Sequence, residues 1–193
     1  MQPNISLYTI NAVVILDSDG RRLLARYYSP PHEYPQHQFA NPYPGRKEQR
    51  TFEKGLFAKT HKFDTDIILF DNRVVVYKKV ADVVIYIVGG LNENESMLYG
   101  VVLALREALK LLLEDSVDKR TIVDSYDLVA LAVDETVDDG IILETDPEAI
   151  AARVSQLPAY ESSVQNLDLS EQGLMNAYQL AKGKLAERLR QGF

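Results

Sequence analysis

The chain has 193 residues, of which 46% are hydrophobic and 25% charged, which is typical of a soluble globular domain with a sizeable core. A net charge of −7 argues against general nucleic-acid binding, because such proteins present a basic surface to the phosphate backbone. The absence of cysteine excludes disulfides, thiolate zinc sites and cysteine nucleophiles. No apolar run reaches the roughly 18 residues of a transmembrane helix, and the N-terminus lacks a signal-peptide pattern, so we expect a soluble, cytosolic protein.

Two strands are predicted first, over residues 7–16 and 22–28, joined by the turn Asp17-Ser18-Asp19-Gly20 with its Asp-Gly signal. Both strands are apolar at consecutive as well as alternate positions, whereas an antiparallel sheet with one wet face alternates cleanly. We therefore expect both faces of the sheet to be covered. A calcium loop starting at Asp17 is disfavoured, because the later ligands and the terminal glutamate are missing.

Residues 29–45 contain five prolines, which exclude a helix or a central strand and predict a surface loop inserted in the domain. The proline spacing fits neither SH3-type nor WW-type recognition cleanly, so a tolerated insertion is favoured over a peptide motif. His32, Glu33 and His37 could in principle ligate a metal, but their spacing does not suit one helix face and we expect no metal site here.

An amphipathic helix with a narrow apolar stripe is predicted over residues 47–62, followed by strands over 66–70, 74–80 and 82–88. The connections between these strands are too short for a parallel crossover, which needs a dozen or more residues. The sequence therefore predicts a five-stranded antiparallel sheet with one helix inserted after its second strand.

The helix predicted over residues 94–115 is the most apolar element of the chain, with a capping box at Asn92 and Glu95. Its apolar residues fill more than one face, and a helix that only covers a sheet does not need this surplus. A neighbouring helix or a second protein should cover it. We predict a partner interface formed by the residues left over, Tyr99, Leu103, Leu111 and Leu113.

Two more helices are predicted before the end of the domain, one over residues 118–137 and a short one that begins at Asp146-Pro147 and ends near residue 154. A polar linker over residues 155–168 and a helical extension over 169–193 complete the predicted organisation. The basic end of that extension would allow contact with a membrane surface, but its few apolar residues favour docking on protein.

An acidic cluster lies at the end of the predicted helix over residues 118–137 and consists of Asp134, Glu135, Asp138 and Asp139. Such a cluster could hold magnesium beside a phosphate, but no glycine-rich phosphate loop accompanies it. The sequence also lacks a serine nucleophile elbow and carries only three histidines. We therefore expect a protein that is not an enzyme, with no catalytic residues, metal or cofactor.

The order β-β-α-β-β-β-α-α with a two-sided antiparallel sheet is similar to the longin or SNARE-like fold, and residues 1–154 would form this domain. Several short stretches point to a particular family with this fold, among them Leu24-Ala25-Arg26-Tyr27-Tyr28 and Val137-Asp138-Asp139-Gly140. Together they resemble the zeta-subunit family of coatomer, which is related to the small (sigma) subunits of clathrin adaptors. The stretches that carry this resemblance are residues 6–10, 14–20, 24–28, 47–49, 52–54, 59–61, 132–135, 137–140, 142–147 and 169–172.

The resemblance implies a coat component without catalysis. Coatomer zeta pairs with the trunk of the gamma subunit, and with the beta and delta subunits this pair forms the adaptor-like part of the COPI coat. An Arf-family GTPase recruits the coat to the cytosolic face of Golgi membranes for retrograde and intra-Golgi transport. The family therefore implies protein partners and no nucleic acid.

The alternative within the same resemblance is a sigma-type subunit that binds dileucine cargo signals in a small apolar pocket. Aligned with that family, Arg106 and Asp115 fall near the positions of the pocket. Charge would then occupy the place where leucine side chains should be buried. We therefore predict that the chain does not bind dileucine signals.

Overall fold

A computed structural model describes residues 7–29, 43–63 and 65–155 of the chain. The candidate ligands His32, Glu33 and His37, most of the proline-rich loop, and the predicted extension over residues 169–193 lie outside these residues. Of the predicted linker over 155–168, only Ser155 is described, as the last residue of a helix. Within the described residues, no helix is long and apolar enough to cross a membrane.

The element order agrees with the sequence prediction up to the first helix after the sheet. Strands β1 (Ile10–Asp17) and β2 (Arg22–Tyr27) precede helix α1 (Arg46–Thr60), and strands β3 (Ile67–Phe70), β4 (Arg73–Val80) and β5 (Val83–Gly90) follow it. The elements after the sheet are helices α2 (Glu95–Leu112), α3 (Lys119–Asp124) and α4 (Tyr126–Thr136), strands β6 (Val137–Asp138) and β7 (Ile141–Ile142), and helix α5 (Pro147–Ser155).

The first five strands form one antiparallel sheet in the order β2-β1-β5-β4-β3, which confirms the predicted five-stranded antiparallel sheet. The hairpin between β3 and β4 has a two-residue loop, Asp71 and Asn72, in which both residues have positive φ. This is the primed turn geometry that matches the twist of antiparallel strands. At the β1–β2 turn, Gly20 has a φ of +75°, where a side chain would be strained.

Both faces of the sheet are buried, as the apolar strands predict. One face, here called the α1 face, packs against α1. The other, here called the α2 face, packs against α2, α3, α4 and α5. A register irregularity between Ile10 and Ala12 places Ile10 on the α2 face, although simple alternation along β1 assigns it to the same side as Ala12.

The helices on the α2 face correct two sequence predictions. Residues 118–137 do not form one helix, because the chain leaves helical geometry at Ser125, between α3 and α4. The α2 cap is Asn94 rather than Asn92, and its side chain accepts hydrogen bonds from the backbone N–H groups of Ser96 (2.9 Å) and Met97 (3.3 Å). The predicted Asp146 cap is confirmed by a 3.0 Å bond from the Glu148 N–H to Asp146 Oδ1.

The small hairpin β6–β7 is an element that the sequence interpretation missed. Its two-residue loop is Asp139 and Gly140, both with positive φ. The Gly140 carbonyl accepts hydrogen bonds of 3.0 Å from the N–H groups of both Thr9 and Ile10. A Cβ at residue 140 would lie 2.5 Å from the Ile10 carbonyl oxygen, so only glycine allows this approach to β1.

Candidate partner interface

Helix α2 buries one continuous apolar face against the sheet and the neighbouring helices. Seven of its residues are buried, and they repeat at the three-four spacing of an amphipathic helix: Leu98, Val101, Val102, Ala104, Leu105, Ala108 and Leu109. Helices α4 and α5 pack against α2 and cover much of its apolar surface. The surplus that suggested a partner is therefore partly used within the domain.

Two of the four predicted interface residues, Tyr99 and Leu103, lie on the half-buried flank of α2. The Tyr99 ring packs against the core, and its hydroxyl donates to Asp66 Oδ2 at 3.3 Å. The Lys78 ammonium lies 4.9 Å from the centre of the same ring, within range of a cation–π interaction. Tyr99 is thus held in place by β4 and by the segment before β3, and it offers only part of its surface to a partner.

Leu111 and Leu113 behave differently from each other. The Leu111 side chain is 56% exposed, so it is available to a partner. Leu113 is only 5% exposed and belongs to the core, which corrects its assignment to a surface surplus. The reason is that Leu113 follows the buried Leu109 by four residues and its N–H still donates to the Leu109 carbonyl at 2.9 Å, so it continues the buried face of α2.

The charged residues assigned to a dileucine pocket lie near the C-terminal end of α2. Arg106 is partly buried and ion-paired with Glu107, whose carboxylate also accepts from Lys110 at 3.2 Å. The hydrogen bond from Arg106 is the main reason that the pKa of Glu107 is lowered, although partial burial opposes this shift. Asp115 is exposed. Absence of dileucine binding remains a prediction.

The acidic cluster is divided between two ion pairs and an exposed loop. Asp134 accepts two hydrogen bonds from the Arg26 guanidinium of β2, from Nε at 2.9 Å and from Nη2 at 3.1 Å. Glu135 lies 3.5 Å from Arg153 of α5, while Asp138 and Asp139 are exposed. Among the described residues, no group of three or more His, Asp or Glu side chains is arranged to hold a metal ion.

Asp17, at which the sequence disfavours a calcium loop, is fully buried and closes the β1–β2 turn. Its Oδ1 accepts from the N–H groups of Asp19 (2.9 Å) and Arg21 (2.8 Å), and its Oδ2 accepts from Lys119 Nζ at 2.8 Å. Burial alone would raise the pKa of Asp17, but the Lys119 and backbone hydrogen bonds outweigh it and lower the pKa. The carboxylate therefore joins the turn to the start of α3.

Sequence reasoning missed a second polar anchor, which fixes α1 on β2. Glu53 is 3% exposed, and its carboxylate accepts from Arg22 (Nε, 3.0 Å) and from the Tyr27 hydroxyl (2.9 Å). Proximity to Glu53 adds to burial in raising the pKa of Tyr27. The signal in the sequence is a glutamate beside Phe52 on the apolar stripe of α1, since carboxylates are almost never buried without a partner.

A family model and several known proteins match most of the length of the chain. A family model of the clathrin adaptor complex small chain matches residues 9–161. The chain is 46% identical to coatomer subunit zeta of Saccharomyces cerevisiae over 190 residues, which covers 98% of each chain. It is 39% identical to human coatomer subunit zeta-1 over 180 residues, which covers 93% of this chain and 92% of the relative.

A chain of an adaptor complex has a similar fold. A chain in a homology model of the full-length AP-3 complex, in a stretched open conformation, superimposes with a TM-score of 0.58 at 16% identity. The match covers 81% of this chain and 97% of that one, and at this identity it shows a shared fold alone. The chain therefore belongs to the coatomer zeta-subunit family, within the small chains of the adaptor complexes.

Proposed function

We propose that this chain serves the COPI coat as a non-catalytic subunit and pairs directly with the trunk of the gamma subunit. The beta and delta subunits share the subcomplex, and an Arf-family GTPase brings the coat to the cytosolic face of Golgi membranes for retrograde and intra-Golgi transport. The observation that carries the proposal is the 46% identity to a coatomer zeta subunit over 98% of both chains. Similarity along the whole length favours a conserved assembly role over a new use of one motif.

The partly exposed side of α2 that carries Tyr99, Leu103 and Leu111 is the surface we assign to the partner. Leu111 is largely exposed, Leu103 is half-buried, and the Tyr99 ring is fixed by Lys78 and Asp66. A fixed aromatic ring is a typical anchor at the centre of an interface, and Leu103 and Leu111 add apolar area to it. Leu113 has no part in this surface, because it is buried in the core.

Co-purification tests the proposal directly. Tagged chain is recovered from cell extract at low and moderate salt, and its stoichiometric partners are identified. A gamma-type trunk with beta and delta subunits is the expected result. The double variant Leu103→Asp with Leu111→Asp should lose these partners, because it places two charges in the apolar patch. The control Leu131→Asp with Leu143→Asp changes two exposed leucines elsewhere and should retain them.

A wild-type chain that stays monomeric in extract would contradict the coat proposal. Full recovery of partners by a folded Leu103→Asp, Leu111→Asp variant would contradict only the assigned surface, since the partners would then bind elsewhere. Circular dichroism and thermal melting of both double variants distinguish lost binding from lost folding.

A sigma-type role is the second candidate, because the matching family model describes clathrin adaptor small chains. Titration with acidic dileucine peptides tests it, and we expect no binding. Saturable binding by the wild-type chain would favour this second candidate. If Arg106 is what blocks the pocket, Arg106→Val should gain binding; continued absence would mean that the block lies elsewhere.

A further inference from the structure

The outward face of α1 carries a concentration of positive charge that lies apart from the partner surface proposed on α2. Arg46, Arg50 and Lys54 follow one another at four-residue spacing, about 6 Å apart along the helix axis, and form a cationic ridge. A groove of about 570 Å³ lies on the side of the β1–β2 turn, and a second of about 490 Å³ lies on the side of Lys47 and Thr51. All three ridge residues line both grooves.

The arrangement opposes the stability of the helix. Like charges at four-residue spacing repel one another, and cations in the first turns of a helix oppose its dipole. Several other cations of the domain are ion-paired, for example Arg22 with Glu53, Arg26 with Asp134 and Lys119 with Asp17, although Lys62 and Lys79 form no ion pair within the described residues either. Within the described residues, no ion pair involves a ridge residue.

The acidic residues of α1 do not neutralise the ridge. Glu53 is buried and engaged with Arg22 and Tyr27, and Glu48 folds back beside Gly45 at the start of the helix. The chain as a whole has a net charge of −7, so this positive face is opposite in sign to the net charge of the molecule. An anionic ligand would relieve the repulsion, and it would be attracted to this face selectively.

The surroundings indicate what kind of anion this is. Specific protein interfaces have an apolar centre, whereas the exposed large hydrophobic residues of the domain all lie outside α1. The grooves are lined mainly by guanidinium and ammonium groups, with Arg21 of the β1–β2 turn at one edge. The Glu53 carboxylate also belongs to the lining of one groove, but it is 3% exposed and paired with Arg22. Guanidinium forks on a helix face suit phosphate oxygens. Lys47 and Arg21 line the same grooves as the three ridge residues, and basic clusters of about four to eight residues bind acidic lipids.

We propose that the ridge of Arg46, Arg50 and Lys54 binds the phosphorylated headgroup of an anionic membrane lipid, with the phosphates seated in the flanking grooves. The proposal rests on the proposed coat function only in that a coat subunit works at a membrane surface. Bound in this way, α1 faces the membrane and the acidic remainder of the domain points away from it, so the contact orients the subunit as well as adding affinity.

Vesicle flotation with the full-length chain tests the proposal. Phosphatidylcholine vesicles are compared with vesicles that also contain phosphatidylserine or phosphatidylinositol bisphosphate. The wild type should bind the bisphosphate vesicles best. The variant Arg46→Gln, Arg50→Gln, Lys54→Gln should bind them about a hundredfold more weakly, since each cation near an acidic surface contributes roughly a fivefold factor.

The matched control removes three cations elsewhere, Lys62→Gln, Lys79→Gln and Arg120→Gln, and should bind like the wild type. Folding is checked by melting at low salt, where the ridge variant should be at least as stable as the wild type because the repulsion is gone. Equal loss in both triple variants would overturn the ridge as a site, since net charge alone would then explain binding.

Three other outcomes would also overturn the proposal: no binding of the wild type to any acidic vesicle, ridge-dependent binding of polyglutamate but not of vesicles, and equally tight binding of free inositol trisphosphate. The second result would assign an acidic protein segment, and the third a soluble phosphate. Co-purification of the ridge variant with coat subunits separates this proposal from the coat role, because each can fail while the other holds.

Discussion

The two faces of the central sheet are stabilised in different ways. The α2 face is an aliphatic core shared by four helices, with side chains such as Leu98, Leu105 and Ile122 fully buried. The α1 face has one helix, and aromatic rings with polar tips fill the space: Tyr43 lies 4.2 Å from Phe52, centre to centre. Burial of apolar surface stabilises the α2 face, whereas side-chain hydrogen bonds position the helix on the α1 face.

The polar tips of the α1 face are all satisfied by residues far away in sequence. The Tyr43 hydroxyl donates to Asp71 at 2.6 Å, and Thr60 and Tyr86 share a 2.7 Å hydroxyl contact. Burial raises the pKa of Tyr86 to about 12, so this hydroxyl stays protonated at neutral pH. Such contacts fix the register of a single helix on the sheet, which one narrow apolar stripe would specify poorly.

The difference between the two faces predicts that truncating side chains on the α2 face causes the largest losses of unfolding free energy. Leu105→Ala removes a fully buried side chain from the centre of α2 and should lower the free energy of unfolding by about 3 kcal/mol, because a cavity remains. Leu111→Ala, on the exposed side of the same helix, should change it by less than about 0.5 kcal/mol. Urea unfolding at a constant m-value measures both, and similar losses would show that α2 is not anchored through this core.

On the α1 face the sensitive element is the buried carboxylate rather than a hydrocarbon. Arg22→Ala leaves Glu53 buried with only the Tyr27 hydroxyl and should cost about 2 kcal/mol of unfolding free energy. The cost is below that of a fully buried pair because Arg22 reaches solvent. Arg21→Ala, its exposed neighbour, should be almost neutral.

A compensating pair sharpens the same prediction. Arg22→Met combined with Glu53→Leu removes both charges, and it should recover part of the loss, since a buried ion pair can be replaced by apolar side chains. A double variant less stable than Arg22→Ala alone would mean that the Glu53–Tyr27 bond, and not relief of the buried charge, dominates this anchor.

Local signals in the sequence were sufficient to predict the five-stranded antiparallel sheet. Short connections gave antiparallel pairing, and Asp19-Gly20 marked the first turn. The Asp139-Gly140 turn carries the same signal, but its strands have two residues each, too few to show alternation. The break at Ser125 has no Gly or Pro to mark it, and the apolar spacing continues across it although Tyr126 is 45% exposed.

The functional surface was less predictable, because side-chain partners are set by distant contacts. Leu113 is an exception, because its four-residue spacing from Leu109 already places it on the buried face of α2. The acidic residue Asp134 pairs with Arg26 across 108 positions, and the charges of α1 looked like an ordinary solvated helix face. Which charges are matched and which are not is visible only in the folded chain.

The smallest expected effect concerns Asp17 and Lys119, the contact that joins the end of β1 to the helices of the α2 face. The pKa of Asp17 is lowered from its ordinary value of 3.8, so its ionised form stabilises the folded state. That contribution is fully present above about pH 4 and is lost as the pH falls through the lower folded-state value. Lys119→Met removes one of the hydrogen bonds responsible and should cost about 1 kcal/mol at neutral pH.

The difference between wild type and Lys119→Met should therefore shrink as the pH falls below about 4, because protonated Asp17 no longer attracts the ammonium group. Arg120→Met, whose own ion pair to Asp124 is exposed and 3.7 Å long, should follow the wild type at every pH. Urea midpoints measured across the acid range decide the matter. A Lys119→Met loss that stays constant with pH would assign the effect to packing of the lysine stem, and the polar link between the turn and α3 would then contribute nothing measurable.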